Sequence, residues 1–167
     1  DITRLGEPAL FWGITGGSID SMIANYTPLK KKRKSDDYTP GGINNRRPDR
    51  AVIAYSKLVR QYFKKTVPIV VGGIEASLRR IAHYDFWSNR IRRSVLVDAK
   101  ADFLLYGMAD RSIVELARHL DENREPTAIR GLCYIARTRP EDAFELPSYQ
   151  EAATDKTAFT RMFEQFY

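Results

Sequence analysis

The sequence predicts an α/β domain with a mostly parallel sheet, and three observations carry that prediction. Val67-Pro68-Ile69-Val70-Val71 is a short, unbroken apolar run that stops at Gly72-Gly73. Such a run fits a strand covered on both faces. Leu10-Phe11-Trp12-Gly13-Ile14-Thr15, behind Pro8, is a second run of this kind and stops at Gly16-Gly17. Segments with helical apolar spacing separate and follow these runs, and alternating strands and helices build parallel sheets. Ligands of open α/β sheets sit beyond the carboxyl ends of the strands. Glycine pairs there allow positive φ or the close approach of another group. The two pairs read either as plain strand-to-loop turns or as one shared binding rim.

Each element follows in order. Ser18 is placed to cap a short helix over 19–26, with Asp20 in its first turn. Residues 27–50 form a polar connection containing Pro28, Pro40-Gly41-Gly42 and Pro48. Such a length is expected to be functional or disordered. Asp49 is placed to cap a helix to about Lys65, with Val52, Tyr55, Val59, Tyr62 and Phe63 on one apolar face. Residues 74–85 read as mixed loop and short helix, and 86–98 as helical, carrying Arg90, Arg92 and Arg93. A third strand over 103–106 ends at Gly107, and Asp110 caps a helix to about Asp121 with Ile113, Val114, Ala117 and Leu120 inward. Residues 131–137 read as a fourth strand. Residues 1–140 make the α/β domain, and 141–167 a linker and last helix. Asp155 caps that helix, whose Phe159, Met162, Phe163 and Phe166 form a face in need of a cover.

The composition bounds the function. The chain has 167 residues, 43% hydrophobic and 29% charged, as in one globular domain. No apolar run approaches the ~20 residues of a membrane span, so no membrane partner is expected. The opening Asp1-Ile2-Thr3-Arg4 lacks an initiator Met and a signal-peptide pattern, which suggests a fragment. The single cysteine, Cys133, excludes an internal disulfide or a cysteine metal cage, and points to a reducing, cytoplasmic setting. The net charge of +6 is concentrated in residues 28–50, where eight cations face three carboxylates. The run Lys30–Lys34 reads as a solvated loop, a nucleic-acid contact or a phosphate-gripping flap.

The chemistry-bearing residues gather downstream of Gly72-Gly73. His83 lies in Arg79-Arg80-Ile81-Ala82-His83-Tyr84-Asp85-Phe86-Trp87, where cations, imidazole, carboxylate and aromatics interleave. Glu75, Arg79 and Arg80 can hold an anion, or each can pair with a neighbour. His119 sits near a helix end, where a histidine is usually structural or solvated. No Ser–His–Asp order, paired-carboxylate spacing or Walker loop is present. The candidate binding residues are Gly16, Gly17, Gly72, Gly73, Glu75, Arg79, Arg80, His83 and Asp85, without a complete catalytic set or a metal-ligand set.

Several blocks resemble a known family: residues 15–22, 38–42, 47–51 and 101–108, and above all the seventeen residues from Gly72-Gly73-Ile74-Glu75 to Phe86-Trp87-Ser88. Together they resemble the N-terminal region of the YgiQ-type radical SAM proteins, over essentially the whole chain. The resemblance implies a Rossmann-like three-layer sandwich, similar to the cobalamin-binding-like domain that precedes many radical SAM barrels. It further implies that about one strand–helix–strand unit is missing upstream. The Cys-x-x-x-Cys-x-x-Cys motif, which would hold a 4Fe–4S cluster while S-adenosylmethionine takes the open iron, is absent. Cluster, S-adenosylmethionine and radical chemistry are therefore implied for a parent protein and its downstream barrel. The absence of Asp-x-His-x-x-Gly leaves cobalamin in doubt.

The resulting expectation is an accessory domain that covers the barrel and helps hold substrate. The alternatives are a nucleic-acid (RNA) module using the basic loop 30–50, and a stand-alone small-molecule binder.

Overall fold

The computed structural model describes residues 2–166. Strand β1 (Trp12–Thr15) leads to helix α1 (Ser21–Asn25), and after the long loop comes α2 (Ala51–Tyr62). Strand β2 (Ile69–Gly72) runs directly into α3 (Gly73–Leu78). A hairpin of β3 (His83–Asp85) and β4 (Arg90–Arg92) follows, then α4 (Val95–Asp98), β5 (Phe103–Leu105) and α5 (Asp110–Asp121). Strand β6 (Leu132–Tyr134) and helices α6 (Tyr149–Thr154) and α7 (Lys156–Phe166) complete the chain.

The main sheet has the order β1-β2-β5-β6. β1–β2 and β2–β5 are parallel, and β5–β6 is antiparallel. Alternation along the strands sends side chains to two faces. Ile14, Ile69, Val71 and Leu104 meet Val52 and Val59 of α2 and Val95 and Leu96 of α4. Val70 and Leu105 face the other way, onto Leu116 of α5 and Ile129. Helices thus cover both faces of the mostly parallel sheet that the alternating pattern predicts, giving the three-layer α/β sandwich that the resemblance implies. The register pairs Thr15 with Gly72, so both Gly-Gly turns leave the sheet at one end.

Local readings differ from the structure at several places. Asp110 is the first residue of α5 and not its cap, and Val114 is exposed while Leu116 is buried. The N-cap of α1 is Asp20, not Ser18; its Oδ1 accepts the Met22 and Ile23 amides at 2.9 and 3.4 Å. Asp49 does not cap α2, because its carboxylate is taken by Asn25 Nδ2 and the Tyr26 hydroxyl, each at 2.9 Å. Residues 86–98 are a hairpin and one short turn of helix. Asp85 accepts the Trp87 amide and the Ser88 hydroxyl, which turns the backbone back, and Asn89 follows at φ 51°. In the last helix Asp155 does accept the Thr157 amide, at 2.8 Å. Its neighbour α6, however, lies inside the segment read as linker and helix lead-in, opened by a Ser148/Glu151 capping box. The apolar face of α7 is partly covered within the chain: Ala158 and Met162 are buried, and the Arg80 guanidinium lies 4.3 Å from the Phe166 ring.

The 27–50 loop has a defined path. Arg47 donates to the Gly16 carbonyl at 2.8 Å and pairs with buried Asp36 at 3.3 Å. Asn44 Nδ2 donates to the Asn25 and Arg33 carbonyls, and Arg33 Nε to the Ile23 and Tyr26 carbonyls. The Asp36 carboxyl is held below its usual range, chiefly by the Thr39 hydroxyl.

Candidate functional site

Two clefts lie beyond the carboxyl ends of β1 and β2. The larger, about 450 Å³, has one wall from Met22, Ile23, Tyr26, Thr27, Pro28 and Arg33. Leu78, Arg79 and the hairpin residues 83–87 form the other wall, and Asp20 lies in the lining. Its surface is mainly apolar and aromatic, with a few convergent polar groups, as ligand pockets usually are. The rings of Tyr26 and Trp87 meet at 4.1 Å between centroids. Lys30 Nζ donates to the Trp87 carbonyl at 3.2 Å and sits 4.8 Å from the centre of the Phe86 ring.

The polar groups of this cleft are held by one another. Asp20 is buried and ion-paired with Arg79. Arg79 also donates to the Glu75 carbonyl at 3.1 Å. Asp85 pairs with Arg50 at 2.6 Å. Burial alone raises the Asp85 carboxyl, but the Ser88 hydroxyl, the Arg50 guanidinium and the Trp87 amide outweigh it and lower the pKa to about 2. His83 Nδ1 lies 3.2 Å from the Ile81 carbonyl, an acceptor, so that nitrogen carries the proton and Nε2 keeps a lone pair. Burial pushes the imidazole below its usual pKa, with the Arg79 and Arg92 charges adding to the shift. The ring is neutral at pH 7. The bond to Asp49 raises the Tyr26 hydroxyl.

The smaller cleft, about 380 Å³, lies at Gly16-Gly17, between Ser18, Tyr38, Thr39, Tyr55, Arg46 and Arg47.

The nine candidate residues thus divide. Arg79, His83 and Asp85 meet in the larger cleft, and Gly16 and Gly17 line the smaller one. Gly72 and Gly73 serve backbone approach: a Cβ on Gly73 (φ 77°) would lie 2.5 Å from Thr15 Oγ1, and one on Gly72 3.3 Å from the Leu105 carbonyl. Glu75 turns inward and is 3% exposed. Its Oε2 accepts the Ser21 amide and its Oε1 the Val52 amide, both at 3.1 Å, so one carboxylate serves the first turns of α1 and α2. Arg80 stacks over Tyr106 and Phe166 and donates to the Ser77 carbonyl at 2.6 Å.

Sequence reasoning missed Asp20, Tyr26 and Trp87 as cleft residues. The position of Trp87 at the end of the mixed cationic–aromatic block was the available signal. Nothing local marks Tyr26, whose role depends on a contact 61 positions away.

A 4Fe–4S cluster takes about three or four cysteine thiolates. The sequence has only Cys133, half-buried, with burial pushing its thiol pKa up against the field of Arg80. Among the described residues no three His, Cys, Asp or Glu side chains converge as a metal-ligand set. These residues do not fit the cluster. No helix among the described residues is long and apolar enough to cross a membrane.

Comparison with known proteins finds longer relatives that match over most of this chain. A UPF0313 protein of Fusobacterium nucleatum is 52% identical over 168 residues, covering 100% of this chain and 30% of its own length. One from Thermotoga maritima is 56% identical over 154 residues, covering 90% and 27%. One from Pseudomonas aeruginosa is 50% identical over 151 residues, covering 89% and 20%. The chain therefore spans less than a third of the length of these relatives. No solved structure matches it. The family described as Radical SAM N-terminal matches residues 1–167 throughout, and the chain belongs to that family.

Proposed function

We propose that this chain is the accessory N-terminal domain of a YgiQ-type radical SAM protein, covering the barrel and helping to hold its substrate. The supporting observation is the 450 Å³ cleft past the carboxyl ends of β1 and β2, where Arg79, His83 and Asp85 meet an aromatic wall. In this reading the barrel supplies the 4Fe–4S cluster and S-adenosylmethionine, and residues 141–167, with α6 against β4, lead towards it. Strand β1 is an edge of the sheet, which leaves a place for an upstream strand–helix–strand unit. The neutral His83 offers an acceptor, while Asp20–Arg79 and Asp85–Arg50 hold the cleft walls in register.

The test uses the full-length parent protein, reconstituted anaerobically. Iron and sulfide content and reductive cleavage of S-adenosylmethionine are measured for the parent and for His83→Ala and Arg79→Ala. The expected result is a loaded cluster in all three proteins and an altered cleavage rate in the variants. A full-length protein that binds no cluster sinks the reading. Loaded variants that cleave at the parent rate sink the site.

A further inference from the structure

The basic run and the aromatic wall are one surface. Lys30 is fixed against Trp87 and Phe86 by its carbonyl bond and its position over the rings. Arg33 also lines the cleft, anchored through Nε to the Ile23 and Tyr26 carbonyls. Between and beside them stand Lys31, Lys32 and Lys34, all exposed and without a side-chain partner among the described residues. A bridge between Tyr26 and Lys32 sets that segment directly along the cleft wall. Tyr84 and Phe86 are about half exposed, at 48% and 52%.

We propose that the cleft takes an unstacked base of a single-stranded nucleic acid, with the strand's phosphates running along Lys31, Lys32 and Lys34. Aromatic platforms beside a line of cations are how single strands are held without duplex geometry. The base lies on the exposed aromatic side of the wall, since Tyr26 and Trp87 already meet at 4.1 Å; the Nε2 lone pair of His83 accepts from an exocyclic amine or ring N–H of the base. A protein partner fits less well, since interface cores are depleted of lysine and three uncompensated ammonium groups would flank the contact. The inference deepens the proposed substrate-holding role of the same cleft. It fails separately from that role, because it is read by binding and not by S-adenosylmethionine cleavage.

The experiment is fluorescence anisotropy of the full-length protein with a labelled single strand of about 12 nucleotides. Matched arms are RNA, DNA of the same sequence, duplex RNA, and competition by adenosine monophosphate. Affinity for single strands is expected to fall with salt. Lys31→Gln/Lys32→Gln/Lys34→Gln is expected to flatten the log–log slope by about 2, near 0.7 for each lost phosphate contact. Trp87→Ala is expected to weaken binding by about fivefold or more, and Trp87→Phe to recover most of the loss. Lys64→Gln/Lys65→Gln, at the amino end of β2, is the charge control and leaves binding unchanged. Either a preference for RNA or equal binding of RNA and DNA supports the proposal; the first adds a 2′-hydroxyl contact. No single-strand binding at about 50 mM salt overturns it. So does duplex bound as tightly as single strand, or a slope untouched by the lysine variant. Adenosine monophosphate competing mole for mole with the strand overturns the phosphate track. Protection of the cleft from hydrogen exchange by the rest of the parent chain, with no strand binding, assigns the surface to a protein contact instead. Where Trp87→Ala fails to fold, the lysine variant and Trp87→Phe decide.

Discussion

Replacing Glu75 by glutamine keeps the shape of the side chain and removes one of its two acceptors. In the folded protein Oε1 and Oε2 receive the Val52 and Ser21 amides, both at 3.1 Å, and the residue is almost fully buried. Glutamine can satisfy one of these amides through its oxygen, and its NH₂ then faces the other donor. A hydrogen bond to a charged acceptor contributes about 1.5–3 kcal/mol, and a buried donor left unmade costs about 1–3 kcal/mol. These terms overlap, so Glu75→Gln is expected to cost about 3 kcal/mol and Glu75→Ala about 4 kcal/mol, since alanine frees both amides. At about 2–4 °C per kcal/mol for a domain of this size, the glutamine variant melts about 10 °C lower. Thermal unfolding by circular dichroism gives the global number. Amide exchange gives the local one: the Ser21 and Val52 amides lose protection ahead of the sheet. A glutamine variant that melts with the parent and keeps both amides protected would falsify the assignment of Glu75 to the fold, and would return it to the binding rim.

Other outcomes follow from the same contacts. Asp85 is depressed from 3.8 to about 2, so the stability it contributes is full above 3.8 and is lost as pH falls through about 2. That loss is about 2 kcal/mol, and Asp85→Asn flattens urea-midpoint profiles between pH 4 and 2. His83 is shifted the other way for a base: below 6.5 the unfolded chain takes the proton first, so stability falls with acidification from there, and its imidazole midpoint by NMR lies below 6.5. Gly73→Ala forces a Cβ at φ 77° to within 2.5 Å of Thr15 Oγ1 and is expected to cost about 2 kcal/mol or more. Adding Thr15→Ala recovers the clash but not the backbone strain, as a double-mutant cycle in urea will show. Arg47→Lys cannot reach the Gly16 carbonyl and the Asp36 carboxylate together, and is expected to destabilise by about 2 kcal/mol in the same assay.

The sheet was legible because its evidence is local: unbroken apolar runs before Gly16-Gly17 and Gly72-Gly73 become β1 and β2, paired in parallel. The hairpin was not, although Asp85, Ser88 and Asn89 are turn residues. Arg90, Arg92 and Arg93 suggest a charged helix until Asp98 is seen to gather Arg92 and Arg93 at 2.7 and 3.0 Å. Helix α6 carried a readable signal, the Ser148-x-x-Glu151 box. In the site, Arg79, His83 and Asp85 were legible as one block. The duties of Glu75 and Asp20 were not, because each is settled by partners more than 20 positions away. A buried carboxylate's partners depend on which helix starts the fold brings to it, and no spacing rule encodes that.

The basic loop shows how one stretch of charge divides between architecture and surface. Arg33, Arg47 and Arg50 are all committed, to main-chain carbonyls, to Asp36 and to Asp85. Among the loop's lysines Lys30 is tied to the hairpin, while Lys31, Lys32 and Lys34 have no side-chain partner among the described residues. The division follows the chemistry of the two cations. A guanidinium is a rigid fork that can satisfy two acceptors and is weakly hydrated, so it tolerates half-burial; an ammonium is a strongly hydrated point charge that stays in water. Arg46 is exposed beside the Gly16-Gly17 cleft, and Arg33 is exposed and held only through Nε, so these two arginines depart from that pattern. The loop's eight cations are therefore more than it can offer a ligand, because Arg47 and Arg50 are each neutralised by a carboxylate. Fixing the loop by its arginines is what lets its remaining lysines present their charge from a defined backbone path, where a disordered run of the same composition would present only an average one.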